Sequence, residues 1–497
     1  MSDPISDRAN LPDVLHLAAA EAEAYLAILD DAVVRPHGAG ELLGGALPEE
    51  GAGSLVSMTE LANGLRDGAT QSSGPRFFHF VTGGVTPAAL GADWLTSAFD
   101  QMGYSWFSSP FASRLEQISI GWLKDLFGLP AGWSGVITTG ATMANFVGLA
   151  AARRWWGLEQ GIDIEAAGMG GLPPMTIMSS GYVHVSALKA VSMLGLGRDR
   201  VRTYSRDDSG HLDLHAMESA LRELDGNPAV IIANAGDVNT GNFDPLAEIV
   251  AVARKYRTWV HVDGAFGLFA AVSPETRHLV EGIELVDSVA VDGHKWLNVP
   301  YDSGFAFVRD QAFHAGAFDV SAAYLGSEAA ARPVFGNLGP EMSRRARALA
   351  VWATLRAYGR AGYRSMVERH LRLARRVADQ VDASPDLERL ADAPLNVVCF
   401  RYRPQGFPEA GLDDLNRRIG QLVLDDGRVY FGTTVYRGKV AFRPAIVNWR
   451  TGEDEVDLIV STVRELGALA VVQAEKGPAL LEVAKPGEPA EVVKPQR

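Results

Sequence analysis

Cysteine is almost absent from the sequence, which contains Cys399 and no other among its 497 residues. A single thiol cannot form an intramolecular disulfide, and a zinc site made of several cysteines is excluded. Cys399 lies in the apolar run LNVVCF, so we expect a buried thiol that packs like a small hydrophobic side chain.

The chain also lacks long hydrophobic runs and an excess of basic residues. No apolar stretch reaches the roughly 18 residues that a membrane-spanning helix requires, and the polar start MSDPISDRAN contains no signal-peptide core. The net charge of −14 argues against nucleic acid or an anionic membrane as the main partner. With 47% hydrophobic and 21% charged residues, the composition is globular, and we expect a cytoplasmic enzyme with more than one domain.

The distribution of apolar segments divides the chain into regions. Residues 1–85 form a helical N-terminal segment that is too small for its own core, and we expect it to serve dimerisation. Residues 86–320 alternate between β-rich and helical stretches, which predicts a large α/β domain. Residues 321–475 predict a smaller α+β domain, and the Pro-, Glu- and Lys-rich residues 476–497 predict a flexible tail.

Short β-rich runs recur through the large region and are separated by helical stretches such as ATMANFVGLAAARRWW. This alternation predicts a largely parallel sheet, and such sheets bind ligands at the carboxyl ends of their strands. The runs are SGVITTG, PMTIMSS, PAVIIANA, TWVHVDG, VDSVAVDG and GFAFVRD.

The segment VAVDGHKW places Lys295 beside an aromatic residue at the end of a predicted strand. Partial desolvation there would favour the neutral amine, which is nucleophilic toward an aldehyde. The alternative is a lysine whose stem packs on the protein while its ammonium group reaches water.

A carboxylate ends another predicted strand, at Asp263 in TWVHVDGAFG. A buried carboxylate needs a partner, and a pyridinium N–H is one such partner, because the ion pair keeps the ring protonated and able to accept electrons. Small residues, including Ala265, leave space after the strand. The alternative is an aspartate that caps the following turn.

Small residues and hydroxyls separate the run SGVITTG from a helix that we expect to start at about Met143. Gly140, Ala141 and Thr142 could bind a phosphate there, because backbone N–H groups and the helix dipole favour an anion. The alternative is an ordinary N-cap by Thr142. His184, in GYVHVSALK, is also open to two interpretations: a structural histidine, or one that lies against a cofactor ring or carries a proton.

Together these motifs resemble the group II decarboxylases that depend on pyridoxal phosphate (PLP), the family of aromatic-L-amino-acid and glutamate decarboxylases. The resemblance runs from about Pro75 to Arg450, and the pair HVDGAFG and DGHKW is its most specific part. It implies an α/β fold of the PLP-dependent transferase type (fold type I), with a large, mixed, mostly parallel sheet domain and a smaller α+β C-terminal domain. It also implies a homodimer that acts on an amino acid.

The same resemblance assigns roles to individual residues. Lys295 matches the Schiff-base lysine, Asp263 the partner of the pyridine nitrogen, and His184 the histidine that stacks on the ring. The remaining cofactor contacts that it implies are Gly140, Ala141, Thr142, Asn234, Ala265 and His294. Thr82 and Arg450 match residues near the substrate.

The substrate side chain is predicted from aromatic residues. The segment GYSWFSSP places Tyr104, Trp106 and Phe107 where aromatic decarboxylases line their pocket, and PRFFHF adds Phe78, His79 and Phe80. These residues favour an aromatic or bulky apolar amino acid over glutamate. The alternative is that they are ordinary core or dimer-interface residues.

The sequence departs from the family at the mobile loop that carries a proton-donating tyrosine. The stretch LGSEAAARPVFGNLGPEMS contains no tyrosine, and Phe335 or Leu338 occupies the neighbourhood. Met143 also stands where many relatives have an acidic residue. Decarboxylation to the amine is the leading prediction, and oxidative decarboxylation–deamination to an aldehyde, transamination and a non-catalytic protein are the alternatives.

Overall fold

The computed structural model describes residues 3–34, 46–320, 332 and 334–475. Its helices are α1 Leu11–Ile28, α2 Ser54–Gly68, α3 Pro87–Phe99, α4 Pro110–Phe127, α5 Ala141–Glu159, α6 Ile164–Ala167, α7 Val185–Met193, α8 Leu214–Arg222, α9 Leu246–Ala253, α10 Gln311–Gly316, α11 Ala348–Ala383, α12 Leu412–Asp426 and α13 Glu453–Glu475. Its strands are β1 Ser134–Thr138, β2 Thr176–Ser179, β3 Val201–Thr203, β4 Ala229–Asn234, β5 Thr258–Asp263, β6 Ser288–Asp292, β7 Gly304–Val308, β8 Leu387–Arg389, β9 Phe400–Tyr402, β10 Thr433–Tyr436 and β11 Lys439–Phe442.

A seven-stranded sheet forms the centre of the larger domain, in the order β1-β7-β6-β5-β4-β2-β3. The strands from β3 to β6 are parallel neighbours, whereas β7 runs antiparallel to both β6 and β1. Every residue of β4, β5, β6 and β7 is buried, as expected of strands covered on both faces. The prediction of a large, mixed, mostly parallel sheet is confirmed.

The register of this sheet gathers polar residues at one edge. Asn234 and Asp263 end β4 and β5 and are directly paired. Asp292 ends β6 opposite Gly304, and Gly304 is also opposite Thr138 at the end of β1. Because β6 and β1 flank the antiparallel β7, their carboxyl ends meet at its first residue. The strand ends therefore meet at the edge where the sequence predicts a ligand.

Helix α5 follows β1 and packs against β5, β6 and β7. Its approach is close because Gly148 carries no side chain. A Cβ there would lie 2.6 Å from the imidazole of His261 and 3.2 Å from the hydroxyl of Ser288. The start of α5 is thereby held beside the strand ends.

The smaller domain contains an antiparallel sheet in the order β10-β11-β9-β8. Helices α12 and α13 cover it through a buried apolar cluster that includes Ile419, Phe442 and Ile459. Helix α11 belongs to both cores: Val351 packs in the larger one and Val377 in the smaller one. The smaller α+β domain is as predicted, and the two cores meet along α11.

The N-terminal helices bury little of their surface. In α1 and α2, Ala62 is the single buried residue, and the leucines at 11, 15, 61 and 65 are exposed. Further along, Phe78 packs in the core of the smaller domain. Among the described residues, no helix has both the length and the apolar composition that spanning a bilayer requires.

Candidate active site

Lys295 lies directly beyond β6, at the edge where the strands end. Its ammonium nitrogen is 3.1 Å from Oδ2 of Asp292 and 5.7 Å from the centre of the Phe266 ring. Gly83 packs on the lysine backbone so closely that a Cβ at Gly83 would lie 1.8 Å from the lysine carbonyl oxygen. The position of Lys295 is therefore fixed by Gly83 at its backbone and by Asp292 at its amine, and its side chain stays 17% exposed.

Asp292 is a site residue that the sequence reasoning left without a role. Its second oxygen accepts a short hydrogen bond from the backbone N–H of Ala141 and lies 3.2 Å from Nε2 of His294. One carboxylate thus joins the lysine, the histidine and the first residue of α5. Its position in DGHK, three residues before the lysine, is the feature of the sequence that could have indicated this role.

The glycine before α5 makes this arrangement possible. A Cβ at Gly140 would lie 2.9 Å from Cε1 of His294 and 3.1 Å from Oδ1 of Asp292. The helix begins at Ala141, and its N-cap is Gly140 without a side-chain cap. The expected start at Met143 was therefore two residues late, and Thr142 is not the N-cap. The N–H groups at a helix start suit an anion, and here that of Ala141 already donates to the carboxylate of Asp292.

Asp263 is 6% exposed and has partners on both oxygens. Oδ2 accepts hydrogen bonds from Nδ2 of Asn145 at 2.9 Å and from the Ser186 hydroxyl at 3.4 Å. Oδ1 accepts from the backbone N–H of Ala265 at 3.2 Å. The turn-capping bond that sequence reasoning held as an alternative is present, and it coexists with an orientation set by Asn145.

His184 is the N-cap of α7 and lies close to this carboxylate. Its Nδ1 accepts a hydrogen bond from the Ser186 backbone at 3.2 Å and lies 2.8 Å from the Ser186 hydroxyl. Burial lowers the pKa of His184, while the charge of Asp263 acts to raise it and that of Lys295 to lower it further. The imidazole is therefore mainly neutral near pH 7.

Two more predicted cofactor residues lie at the same edge. The carbonyl of Ala265 accepts a hydrogen bond from the Asp292 backbone at 2.8 Å, which links the ends of β5 and β6. The Asn234 amide donates to Ser180 at 3.2 Å and to Asp244 at 3.1 Å. Burial raises the pKa of Asp244 to about 6.

Tyr301 is an unpredicted residue that contacts the histidine next to the lysine. Its ring stacks on that of His294, with centroids 4.2 Å apart, and its hydroxyl is 3.3 Å from Oγ1 of Thr82. Thr82 itself is buried, next to Gly83. The structure therefore brings Thr82, His294 and Lys295 together as predicted and adds a phenol to them.

Phe80 and Val81, just before Thr82, have φ angles of 56° and 60°. Positive φ is uncommon outside glycine and is an outlier for a β-branched residue such as valine. This turn leaves Phe80 63% exposed beside the site and buries Val81 completely. Backbone strain of this kind is concentrated at functional sites.

The other predicted substrate residues lie apart from this cluster. Tyr104 packs on Gly336, so that a Cβ at Gly336 would lie 2.1 Å from its ring. Phe335 is 3% exposed in an apolar cluster with side chains of β1, α5, β6 and β7. The Trp106 ring lies under the guanidinium of Arg332 at 5.1 Å.

Two arginines also depart from expectation. Arg450 pairs with Asp30 at 3.0 Å and lies over Trp449, so the structure does not group it with the lysine. Arg443, which sequence reasoning missed, is half-buried, and its charge lowers the pKa values of His184 and His79. An arginine inside the apolar run KVAFRPAIV was the signal that could have found it.

The residues gathered here fit the pyridoxal phosphate group that the sequence implies. Asp263 offers a carboxylate for a ring nitrogen, Lys295 an amine for the aldehyde, and the start of α5 a set of N–H groups for the phosphate. Gly140 packs closely on His294 and Asp292, and Gly83 on the backbone of Lys295, which holds these cofactor candidates together. His184, neutral and flanking Asp263, is placed for ring contact.

Comparisons with known proteins agree with this chemistry. Residues 36–403 match the model of the pyridoxal-dependent decarboxylase conserved domain. The chain is 28% identical to the aromatic-L-amino-acid decarboxylase of Bacillus atrophaeus, over 85% of this chain and 87% of that protein. It is 31% identical to the L-2,4-diaminobutyrate decarboxylase of Rhizobium meliloti, over 84% of each.

Another relative carries a different activity in its name. The chain is 28% identical to the phenylacetaldehyde synthase of Arabidopsis thaliana, over 76% of this chain and 79% of that protein. Among solved structures, TDC of Oryza sativa with PLP and tryptamine superposes with a TM-score of 0.87 at 25% identity, covering 94% of this chain and 99% of that one.

Proposed function

Because the chain belongs to the pyridoxal-dependent decarboxylase family, we propose that it decarboxylates an L-amino acid with an aromatic or bulky apolar side chain to the amine. Decarboxylation of an amino acid with PLP follows from the family. The side-chain preference and the product are our proposal. The observation that carries it is the grouping of Lys295, Asp263 and His184 at one sheet edge, next to the exposed Phe80.

In this reaction the bond between Cα and the carboxyl carbon breaks, CO2 leaves, and a proton is added at Cα. PLP supplies the electron sink for the pair released at Cα. Lys295 would hold the cofactor covalently, Asp263 would keep its ring nitrogen protonated, and the start of α5 with His294 would bind its phosphate. His184, which shares the contact with Ser186 made by Asp263, would cover the ring.

The preference for an aromatic or bulky substrate rests on Phe80. Phe80 is held outward by the strained turn before Thr82, so its ring is available to a ligand instead of the core. Trp106 is half-buried under the guanidinium of Arg332, apart from the lysine cluster. The aromatic decarboxylase relative supports this preference, and the diaminobutyrate relative makes a polar, basic side chain the main competitor.

The product depends on which group protonates Cα. Phe335 cannot donate a proton, and here it is buried in the core. Tyr301 is a phenol that stacks on His294, the residue before Lys295, and we propose it as the acid, with His184 as the second candidate. A positioned acid of this kind is what amine formation requires.

The aldehyde is the second candidate product, because the stretch LGSEAAARPVFGNLGPEMS contains no tyrosine and one relative is named a phenylacetaldehyde synthase. That reaction consumes the amino acid, O2 and water, and releases the aldehyde, CO2, ammonia and hydrogen peroxide. The two products differ in whether Cα takes up a proton or its electron pair is passed to O2.

One assay separates these possibilities. Purified holoenzyme is given a panel of amino acids under air, and CO2, amine, aldehyde and peroxide are measured together. We expect CO2 and amine in equal amounts from an aromatic substrate, and a pyridoxyl label on Lys295 after borohydride reduction. Stoichiometric aldehyde and peroxide would establish the second candidate, and turnover of diaminobutyrate alone would contradict the proposed side-chain preference. The Phe335→Tyr variant tests whether that position influences the ratio.

A further inference from the structure

A chain of hydrogen bonds runs along one face of β5, from Trp259 near the start of the strand to the carboxylate of Asp263 at its end. The Trp259 indole donates to the Ser288 hydroxyl at 2.9 Å, and Ser288 lies 2.8 Å from Nδ1 of His261. Nε2 of His261 lies 2.8 Å from Oδ1 of Asn145, whose Nδ2 donates to Asp263 at 2.9 Å. Each of the five side chains is less than a tenth exposed.

The direction of each bond follows from the carboxylate. An ionised Asp263 can only accept, so Asn145 turns its amide N–H to Asp263 and its oxygen to His261. That oxygen requires a proton on Nε2 of His261, which leaves Nδ1 bare in the neutral ring. Nδ1 then accepts from the Ser288 hydroxyl, whose oxygen accepts from Trp259, a group that can only donate. The Trp259 indole, which can only donate, and the Asp263 carboxylate, which can only accept, therefore require the same donor-to-acceptor assignment along the chain.

The surroundings of His261 keep it in this one form. Burial lowers its pKa to about 4, with Asp263 as the charge that opposes the shift, so it stays neutral around pH 7. Gly148 of α5 makes the space, because a side chain there would displace His261. The histidine is thus confined as a neutral donor.

We propose that His261 and Asn145 are positioning residues that fix the orientation of Asp263 and strengthen its hold on the cofactor ring nitrogen. Successive hydrogen bonds in a dry interior polarise one another, and an amide donor to a carboxylate stabilises the anion. The anion in turn favours a protonated ring nitrogen. This inference rests on the proposed role of Asp263 as the partner of that nitrogen.

The test uses holoenzyme loaded with PLP that is ¹⁵N-labelled in the ring. The ¹⁵N chemical shift reports whether the ring nitrogen is protonated, independently of turnover. We expect His261→Leu to move this shift toward the unprotonated nitrogen and to lower kcat roughly tenfold, the lower end seen for residues that orient a metal ligand. His261→Gln can still donate to Asn145, so its ¹⁵N shift and its kcat should both lie close to the wild-type values.

Matched variants separate positioning from loss of stability. His314 is another fully buried histidine, bonded to Ser134 and to the carbonyl of Leu338. His314→Leu should lower the melting temperature and leave the ¹⁵N shift unchanged. If His261→Leu does not fold, Asn145→Ala interrupts the same chain with a good helix former and should give the same shift.

An unchanged ¹⁵N shift in a folded His261→Leu or Asn145→Ala variant overturns the proposal. So does a failure of His261→Gln to restore a shift that His261→Leu has lost. If Asp263→Asn also leaves the shift unchanged, the proposed role of Asp263 itself is wrong. If the ¹⁵N shifts respond as expected but no amino acid is decarboxylated, the proposed reaction is wrong while the positioning role of His261 and Asn145 is retained.

Discussion

At the scale of single residues, the lysine is one member of a cluster centred on Asp292. That carboxylate contacts Lys295, His294 and the first N–H of α5. The motif DGHKW indicated Lys295, because a lysine beside an aromatic residue at the end of a strand is suited to bind an aldehyde. The carboxylate was missed because its role depends on β1 and α5 meeting the end of β6, which no local pattern expresses.

Asp263 provides the first prediction. Asparagine keeps the size of the side chain, but its NH2 group must face either the Asn145 or the Ala265 N–H donor, so Asp263→Asn should fold with a modestly lowered melting temperature. It cannot hold a ring nitrogen protonated, so kcat should fall at least about a hundredfold, the scale on which loss of electrostatic stabilisation lowers turnover. Steady-state kinetics and a thermal melt check this. A variant with undiminished kcat would remove Asp263 from the mechanism.

Tyr301 provides the second prediction. Tyr301→Phe keeps the stacking on His294 and removes the hydroxyl near Thr82. If that hydroxyl protonates Cα, the amine fraction should fall and aldehyde and peroxide should rise under air, with the amount of bound cofactor unchanged. Tyr256→Phe is the control, because Tyr256 bonds Glu218 away from the cluster. An unchanged amine fraction in Tyr301→Phe would leave His184 as the candidate acid.

At the scale of elements, the ends of strands were predictable and their partners were not. Runs such as WVHVD and SVAVD are buried strands that end in carboxylates, so the ligand edge follows from the sequence. Arg450 and Phe335 were placed by resemblance alone, and tertiary packing puts them with Asp30 and with the core. The start of α5 was misjudged by two residues because its N-cap is a bare glycine, which carries no side-chain signal.

A buried ion pair joins α4, β1 and the segment before α11. Glu116 and Arg344 are each 2% exposed at the side chain and are bonded to one another. Glu116 also accepts from the backbone of Ile137 at 3.0 Å, and Arg344 donates to the carbonyl of the same residue. The strand that leads into the candidate phosphate loop is therefore fixed by this pair.

Arg344→Met should destabilise the protein by about 3–5 kcal/mol, because it leaves the charge of Glu116 buried without its partner. The adjacent Arg345 is the matched control: its pair with Asp93 is 39% and 28% exposed, so Arg345→Met should cost about 1 kcal/mol or less. Denaturant unfolding of the two variants measures the difference. Equal effects would show that burial of the Glu116 pair does not decide its contribution.

At the scale of the whole molecule, apolar side chains remain exposed on several elements near the site. Trp94, Leu95 and Phe99 on α3 are 45%, 55% and 67% exposed, and Phe107 beside α4 is 83% exposed. Exposed apolar surface of this extent is typical of an interface. Together with the exposed leucines of α1 and α2, it leads us to propose that two copies pair through these apolar surfaces.

Light scattering of the holoenzyme should therefore give the mass of a dimer. Leu95→Glu should shift the mass toward the monomer and lower activity, because a charge would be buried at the proposed interface. Leu469→Glu on α13 is the control, since Leu469 is similarly exposed, at 52%, in the smaller domain. An active wild-type monomer, or equal behaviour of the two variants, would contradict this interface.

Buried histidines should also control the stability of the whole fold toward acid. Burial lowers the pKa values of His79, His261 and His314 to about 4 and that of His370 to about 3. Each is neutral in the folded state, whereas the unfolded chain binds a proton below about pH 6.5. The unfolded state therefore binds more protons in this range, and each histidine lowers the free energy of unfolding as the pH falls, by up to about 1.4 kcal/mol per pH unit.

Buried carboxyl groups act in the opposite sense, but at lower pH. Burial raises the pKa of Asp244 to about 6, so the folded state binds this proton more tightly and gains stability only as the pH falls through that value. Burial also raises the pKa values of Asp237 and Asp287, which act in the same sense as Asp244. The four histidines begin to act nearer pH 6.5, above the pKa of Asp244. We therefore expect the free energy of unfolding to fall steadily from pH 7 to pH 5. Denaturant unfolding of borohydride-reduced holoenzyme measures this without loss of cofactor. His314→Gln should reduce the slope, and a free energy that stays constant over this range would show that these histidines do not govern acid stability.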